Sequence, residues 1–330
     1  MREIMKDRLD IIFEIQREFN KEFLAKIKGQ NLDGLTVEQT EDLVKDYILH
    51  LIKEATELLD NFKWKMHHFN EKSHSHLNSD NQLEEIVDIT KYLVGICNLL
   101  GFDSEDLSNR FVKKSILVQH RLKQDLLMKQ IAEQPDVKIA AIDIDGVLNN
   151  YPFELVELAK KMFKKDVDLG FEVHRPNLSD LLPFEKLKAL KHEYRSNGSK
   201  ANLSAAEFAS EFLRNLKELG YTIILVSSRP VKKYASIEHD TLKWLRDQDL
   251  AYDLLFWSDE KEEFLLNRFS EDKLALFIDD DPLNCLKVKG SSANTKVVHK
   301  INSLICHPVS ALALTRRNVI SVDSLSKIVI

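Results

Sequence analysis

The hydrophobic pattern changes period within the segment AEQPDVKIAAIDIDGVLNN, residues 132–150. Before it, apolar residues recur at helical spacing: Ile4, Ile11, Ile15, Phe19 and Phe23, then Tyr47, Ile48, Leu51, Ile52, Ala55, Leu58, Leu59 and Phe62, then Leu83, Ile86, Val87, Leu93, Val94, Cys97 and Leu100. A fourth helical run follows the Gly101 break, from Ser104 to Lys129. After the change, short apolar runs (KIAAIDID, YTIILVSS, KLALFIDDD) alternate with helical ones (AAEFASEFLRNLKELG, SIEHDTLKWLRDQD). That alternation is how a parallel sheet covered by crossover helices reads. Two domains are therefore expected, an all-helical bundle over residues 1–133 and an α/β domain over 134–330, with Pro135 and Asp136 at the break. A chain of 330 residues is long enough to build both cores. Strand-like runs in the tail, TKVVHKI and NVISVDSLSKIVI, either complete the sheet or pack against the first domain.

With 44% hydrophobic and 30% charged residues, the composition is that of a globular protein and not of a disordered or fibrous one. A net charge of -6 argues against broad adhesion to nucleic acid or an anionic membrane. The three cysteines, Cys97, Cys285 and Cys306, are too scattered for a disulfide framework and indicate a reducing, cytoplasmic setting. No run approaches the eighteen or so apolar residues that a membrane span needs.

In the helical half, Glu54 and Glu57 are three apart on one helix, and Glu85 and Asp88 are three apart on the next. Each pair presents two carboxylates on one face. Like charges at this spacing repel unless a cation neutralises them, and Mg2+ bound to carboxylates and substrate phosphates is the natural candidate, with Mn2+ as an alternative. The competing reading is a solvated acidic stripe. An ExxE followed by an ExxD on the next helix resembles the all-helical nucleoside triphosphate pyrophosphatases, the MazG-like and dimeric dUTPase superfamily, over residues 1–130. The resemblance implies hydrolysis of a nucleoside triphosphate to monophosphate and pyrophosphate, with Mg2+ on Glu54, Glu57, Glu85 and Asp88. It also implies phosphate contacts from the following helix, for which Asn109, Lys114 and Arg121 are candidates, and a homo-oligomer built through the helical domain. Between the acidic pairs lie His67, His68, His74 and His76, read as a polar loop and not a metal site because no second pair at zinc spacing accompanies them. Trp64 and Phe62 are read as core residues in preference to a base platform.

In the sheet half, Asp143 and Asp145 close an apolar strand and Gly146 follows. Strand alternation sends both side chains the same way at the carboxyl end of the sheet, where open α/β folds place their sites. One carboxylate there can attack phosphorus while its neighbour handles protons. This DxDGVL resembles the signature of the haloacid dehalogenase-like (HAD) phosphohydrolases, and their other elements follow in order over residues 136–290. The resemblance makes Asp143 the nucleophile, Asp145 the general acid/base and Ser227 the phosphoryl-holding hydroxyl. Lys261 is the neutralising lysine, with Lys273 as fallback, and Asp279 and Asp280 complete a Mg2+ site with Asp143 and the Asp145 carbonyl. Asp281 leaves a register ambiguity. Within that superfamily, SSRP with Arg229 and the helix carrying Thr241 and Trp244 is similar to the phosphatase domains attached to polynucleotide kinases, although no GxxxxGK[ST] occurs here. The residues between Asp145 and Ser227 suffice for a small helical insertion, in which Lys188, Lys191, His192 and Arg195 either meet substrate phosphate or form a solvated face.

The expectation is a bifunctional nucleotide hydrolase in which one domain's monophosphate feeds the other. The alternatives are a 3'-phosphatase of nucleic-acid ends carrying a nucleotide-cleansing or dimerising helical domain, and a non-catalytic nucleotide sensor.

Overall fold

The computed structural model describes residues 7–62, 80–134, 136–167, 182–302 and 309–330. His67, His68, His74, His76, Trp64 and Cys306 lie outside these residues. Contacts divide the chain into two compact units, residues 1–115 and 116–330.

The first unit is helical. Helix α1 (Arg8–Phe23) begins with a capping box, the Asp7 side chain accepting from the Leu9 amide while Asp10 reaches back. A second capping box, Thr36 with Gln39, starts α2 (Val37–Asp60). Helix α3 (Asp80–Leu99) ends before Gly101, whose φ of 78° reverses the chain. Helix α4 (Ser104–Glu133) follows, and the division between units falls inside it. The helix runs on to Glu133, beyond the division at residues 115 and 116.

Helices α2 and α3 approach closely at Gly95, where a Cβ would stand 2.6 Å from the Tyr47 ring. The interior of this unit holds Phe13, Leu43, Tyr47 and Val94 with a polar strand of Gln16 and Asn20. Asn20 Oδ1 accepts from Gln16 Nε2 and from the Tyr47 hydroxyl, each at 3.0 Å. This corrects the expected stripe on α1: Ile15 and Phe19 are 66% and 58% exposed, and the buried face is Phe13, Gln16 and Asn20. Ile48, Ile52, Leu83, Ile86, Val87 and Leu93 are exposed as well. The helices carry more apolar surface than one another can cover.

Among the described residues, the second unit holds a six-stranded parallel sheet of β1 (Lys138–Ile142), β2 (Tyr221–Ser227), β3 (Leu254–Trp257), β4 (Leu274–Asp279), β5 (Lys296–Lys300) and β6 (Ile320–Val322). The order is β3-β2-β1-β4-β5-β6, so the tail completes the sheet. Alternate residues of the strands enter two cores. Ala140, Ile142, Ile223, Leu225, Leu276 and Ile278 face one layer, and Ile139, Ala141, Ile224, Val226, Leu274 and Phe277 face the other. Burial on both faces is why these strands read as unbroken apolar runs. The first layer is built by α5 (Phe153–Val167), α6 (Phe184–Ser196), α7 (Ala209–Glu218) and α8 (Ser236–Asp247). The second is built by α9 (Lys261–Arg268), α10 (Pro282–Ser291), α11 (Ala311–Arg316) and the last turns of α4 through Leu127, Met128 and Ile131. From β1 the chain runs outward to β2 and β3, then returns to β1's other side as β4. The crevice outside the ends of β1 and β4 is therefore the topological switch point. No helix among the described residues is long and apolar enough to cross a membrane.

Candidate active site

Three carboxylates meet at that switch point. Asp143 continues the β1 ladder, its amide donating to the Ile278 carbonyl, and Asp279 ends β4 with Asp280 next to it. Each of the three offers a carboxylate oxygen, and these oxygens lie within 4.8 Å of one another. Lys261, at the start of α9, bridges two of them: its Nζ is 2.7 Å from Asp143 Oδ1 and 2.8 Å from Asp279 Oδ2. Asp279 is held further by the Asp281 amide at 2.8 Å and the Asn284 side chain at 3.2 Å. Asp280 accepts from Asn302 at 3.3 Å and forms no ion pair among the described residues.

The charge balance tests the fit of a cation. Three buried carboxylates face one ammonium, so ionising all three would leave two negative charges without a counter-charge. A divalent ion supplies that charge, and an all-oxygen donor set suits Mg2+ or Mn2+. Burial raises the Asp143 pKa to about 7, with Asp279 and Asp145 adding to the rise and Lys261 opposing it. Burial also pushes Asp280 well above the usual carboxylate range, reinforced by Asp143 and Asp279. For Lys261, burial alone would favour the neutral amine, but the flanking Asp143 and Asp279 hold it charged, well above the ordinary lysine range.

Gly146 is required at the turn after β1. Its φ is 86°, and a Cβ there would lie 2.0 Å from Asp280 Oδ2. The glycine of the DxDG segment thus makes room for a member of the acidic cluster.

Asp145 lies in a different electrostatic setting. Arg229 grips it with two bonds, Nη2 to Oδ1 at 2.7 Å and Nε to Oδ2 at 2.9 Å. Lys200 Nζ adds a third at 2.9 Å and Asn149 Nδ2 a fourth at 2.8 Å. Burial opposes ionisation of Asp145, but the Arg229 and Lys200 charges overcome it and hold the carboxyl far below its ordinary range. Asp145 is thus a firmly ionised carboxylate, which modifies its expected role. So held it is a weak base, and its use as a proton acceptor or donor requires Arg229 and Lys200 to move off it.

Arg229 is itself fixed by Thr241 Oγ1, which accepts from Nη1 at 2.7 Å, and by the Trp244 ring 5.5 Å beneath it. Ser227 ends β2 and accepts the Arg229 amide at 3.3 Å. Ser227 and Arg229 line a cavity of about 300 Å³ together with Asp145, Lys261, Leu155, Lys191, Tyr194 and Arg195.

Lys273, the fallback, donates to the Ile131 carbonyl at 2.9 Å and is not among the cavity residues. Asp281 caps α10 by accepting the Leu283 amide at 2.8 Å, which assigns the register of the three aspartates. Sequence reasoning missed Lys200, Asn149, Asn284 and Asn302. Asn149 ends the DGVLNN run and was open to inspection, whereas Lys200 lies in NGSKANLS with no pattern to mark it.

In the helical unit, Glu54, Glu85 and Asp88 form a second cluster of carboxylate oxygens within 4.8 Å of one another. Glu54 is 12% exposed. Partial burial and the charges of Glu57, Glu54 and Asp88 raise the Glu85 pKa. Glu57, expected as a fourth ligand, pairs with Lys53 one turn earlier on α2, and Asp88 pairs with Lys91 at 3.0 Å. Of the expected phosphate contacts, Asn109 and Lys114 are exposed on α4. Arg121 falls in the second unit and forms an ion pair with Glu238 at 2.5 Å, so it is engaged in packing α4 against α8.

No protein-family model matches the sequence, and no curated protein is significantly similar to it. Among solved structures, the chain is similar to a HAD family hydrolase from Deinococcus radiodurans R1, with 17% identity, 59% of this chain and 94% of that chain covered and a TM-score of 0.39. It is also similar to a phosphoserine phosphatase from T. onnurineus (18% identity, 59% and 94% covered, TM-score 0.33). A third is the D,D-heptose 1,7-bisphosphate phosphatase from Burkholderia thailandensis (13% identity, 57% and 93% covered, TM-score 0.32).

Proposed function

We propose that the sheet unit is a divalent-cation-dependent phosphomonoesterase of the HAD type, with Asp143 as nucleophile. The observation that carries this reading is the convergence of Asp143, Asp279 and Asp280 around Lys261 at the switch point of the sheet. Asp143 attacks phosphorus, the ester oxygen leaves, and a phosphoaspartate forms. Lys261 and the Ser227 hydroxyl hold the phosphoryl oxygens. Asp145, once Arg229 and Lys200 have turned to the incoming anion, takes the proton of the water that then cleaves the acyl phosphate. Asp143, Asp279 or Asp280 and the Asp145 carbonyl would hold Mg2+, which when bound neutralises charge on the phosphoryl group. Protonation of the leaving oxygen by Asp145 follows only after the incoming anion draws Arg229 and Lys200 aside.

The helical unit is read as a nucleoside triphosphate pyrophosphatase, a reading favoured by the convergence of Glu54, Glu85 and Asp88. Its monophosphate product would be a substrate for the second unit, which makes the chain a bifunctional nucleotide hydrolase. Incubation of nucleoside and deoxynucleoside triphosphates with Mg2+ tests both halves. From triphosphate, pyrophosphate release is lost on Glu54→Gln and kept on Asp143→Asn, and from added monophosphate, phosphate release is kept on Glu54→Gln and lost on Asp143→Asn. Preference for 3'-phosphorylated oligonucleotides over mononucleotides would transfer the second activity to nucleic-acid ends.

A further inference from the structure

Each cation lining the cavity can be set against the carboxylate it already serves. Lys261 is shared by Asp143 and Asp279. Asp145 takes both Arg229 and Lys200, which leaves one positive charge in excess beside it. Lys191 and Arg195 stand one helical turn apart on α6, line the same cavity and form no ion pair among the described residues. Tyr194, adjacent to Arg195, also lines the cavity. It is 3% exposed, and its hydroxyl is buried with no hydrogen-bond partner among the described residues. Lys200 stands over its ring at 4.8 Å and over the Tyr151 ring at 4.9 Å. On the opposite rim, Asp281 is occupied in capping α10.

One wall of the cavity therefore carries positive charge beyond what the reacting phosphoryl group uses, with the unsatisfied Tyr194 hydroxyl buried at that wall. We propose that Lys191, Tyr194 and Arg195 form a second anion subsite for the leaving group. The substrate is then a phosphomonoester whose leaving group bears another anionic group, a phosphate or a carboxylate. This rests on the phosphatase reading of the same cavity. The subsite separates Lys191 and Arg195 from His192, whose ring lies against the Tyr234 hydroxyl at 3.3 Å and does not line the cavity.

The test compares kcat/KM of the full chain with Mg2+ on glycerol phosphate, phosphoglycerate and glycerol bisphosphate, and on AMP and adenosine bisphosphate, with p-nitrophenyl phosphate as the reference lacking a second anion. The carboxylate and phosphate arms distinguish the two sources of the second charge. At least one doubly anionic compound is expected to exceed its singly anionic counterpart by about tenfold, the size of one charge-assisted contact. That ratio falls toward one in K191A/R195A and in K191Q/R195Q, the latter keeping the stems packed, and it falls in part in Y194F. Turnover of p-nitrophenyl phosphate with no preference in any pair, or with a preference that survives both double variants, overturns the subsite and leaves the phosphatase reading standing. If no phosphomonoester is turned over, the phosphatase reading fails, and calorimetric binding of the same pairs decides the subsite. Tighter binding of the doubly anionic member that the double variants abolish supports it, and equal binding overturns it.

Discussion

Removing the Lys261 ammonium isolates the acidic cluster. In Lys261→Met the two ion pairs at 2.7 and 2.8 Å disappear, and Asp143 and Asp279, whose side chains are 7% and 1% exposed, lose their buried counter-charge. Breaking a buried pair by deleting one partner typically costs about 3–5 kcal/mol, because the remaining charge is neither solvated nor compensated. Methionine fills most of the lysine's volume, so the loss is chiefly electrostatic. Since the cluster also takes a divalent ion, the penalty depends on the medium. In EDTA at neutral pH the full loss is expected, and saturating Mg2+ recovers part of it by binding the folded state alone. Urea unfolding of both proteins, with and without Mg2+, measures these four stabilities, and the transition of this unit is followed by the Trp244 and Trp257 fluorescence. A double-mutant cycle with Asp143→Asn isolates the pair: with that carboxylate already neutralised, Lys261→Met costs less. A loss below about 1 kcal/mol in EDTA, equal to that in Mg2+, would refute the assignment of Lys261 as the internal counter-ion of a metal-binding cluster.

Divalent-ion affinity of the sheet unit should rise with pH, because Asp143, with its pKa at about 7, and Asp280 must shed their protons to bind. Calorimetry between pH 5.5 and 8 is expected to show the steepest change near neutrality, and a flat profile contradicts it. Gly146→Ala places a Cβ where Asp280 Oδ2 lies, at a backbone φ of 86°, so Mg2+ affinity falls by about tenfold or more and stability by about 2–4 kcal/mol. Wild-type affinity and Tm in that variant would contradict the role given to the glycine. Arg229→Ala leaves Asp145 with Lys200 as its remaining cation, so phosphate release should fall by about a hundredfold or more while pyrophosphate release is unchanged. Equal loss of both products counts against separate sites.

The legible parts of this molecule were those whose physics is local. Strands buried on both faces leave apolar runs, and DID, VSS and IDD end such runs because a parallel sheet exposes its chemistry at the carboxyl ends of its strands. Periodicity located the helices of the first unit but not their faces. On α1 the apolar stripe through Ile15 and Phe19 is turned outward, because the interior is organised around Asn20 and Tyr47, a polar pair that no hydrophobic count detects. Lys200 was illegible because its partner lies 55 residues away and the intervening insertion has no fixed spacing. Glu57 and Arg121 each stand beside a partner that the motif reading does not weigh. A charged residue with a suitable neighbour, Lys53 in one case and Glu238 in the other, pairs with it.

The most direct test of the central claim is to catch the phosphoryl group on the protein. The chain is mixed with Mg2+ and p-nitrophenyl phosphate, quenched in acid during turnover, digested and analysed by peptide mass spectrometry. The account predicts one added phosphoryl group on the peptide containing Asp143, labile to hydroxylamine and absent from Asp143→Asn. Turnover with no such adduct, or with the adduct on another residue, would contradict it.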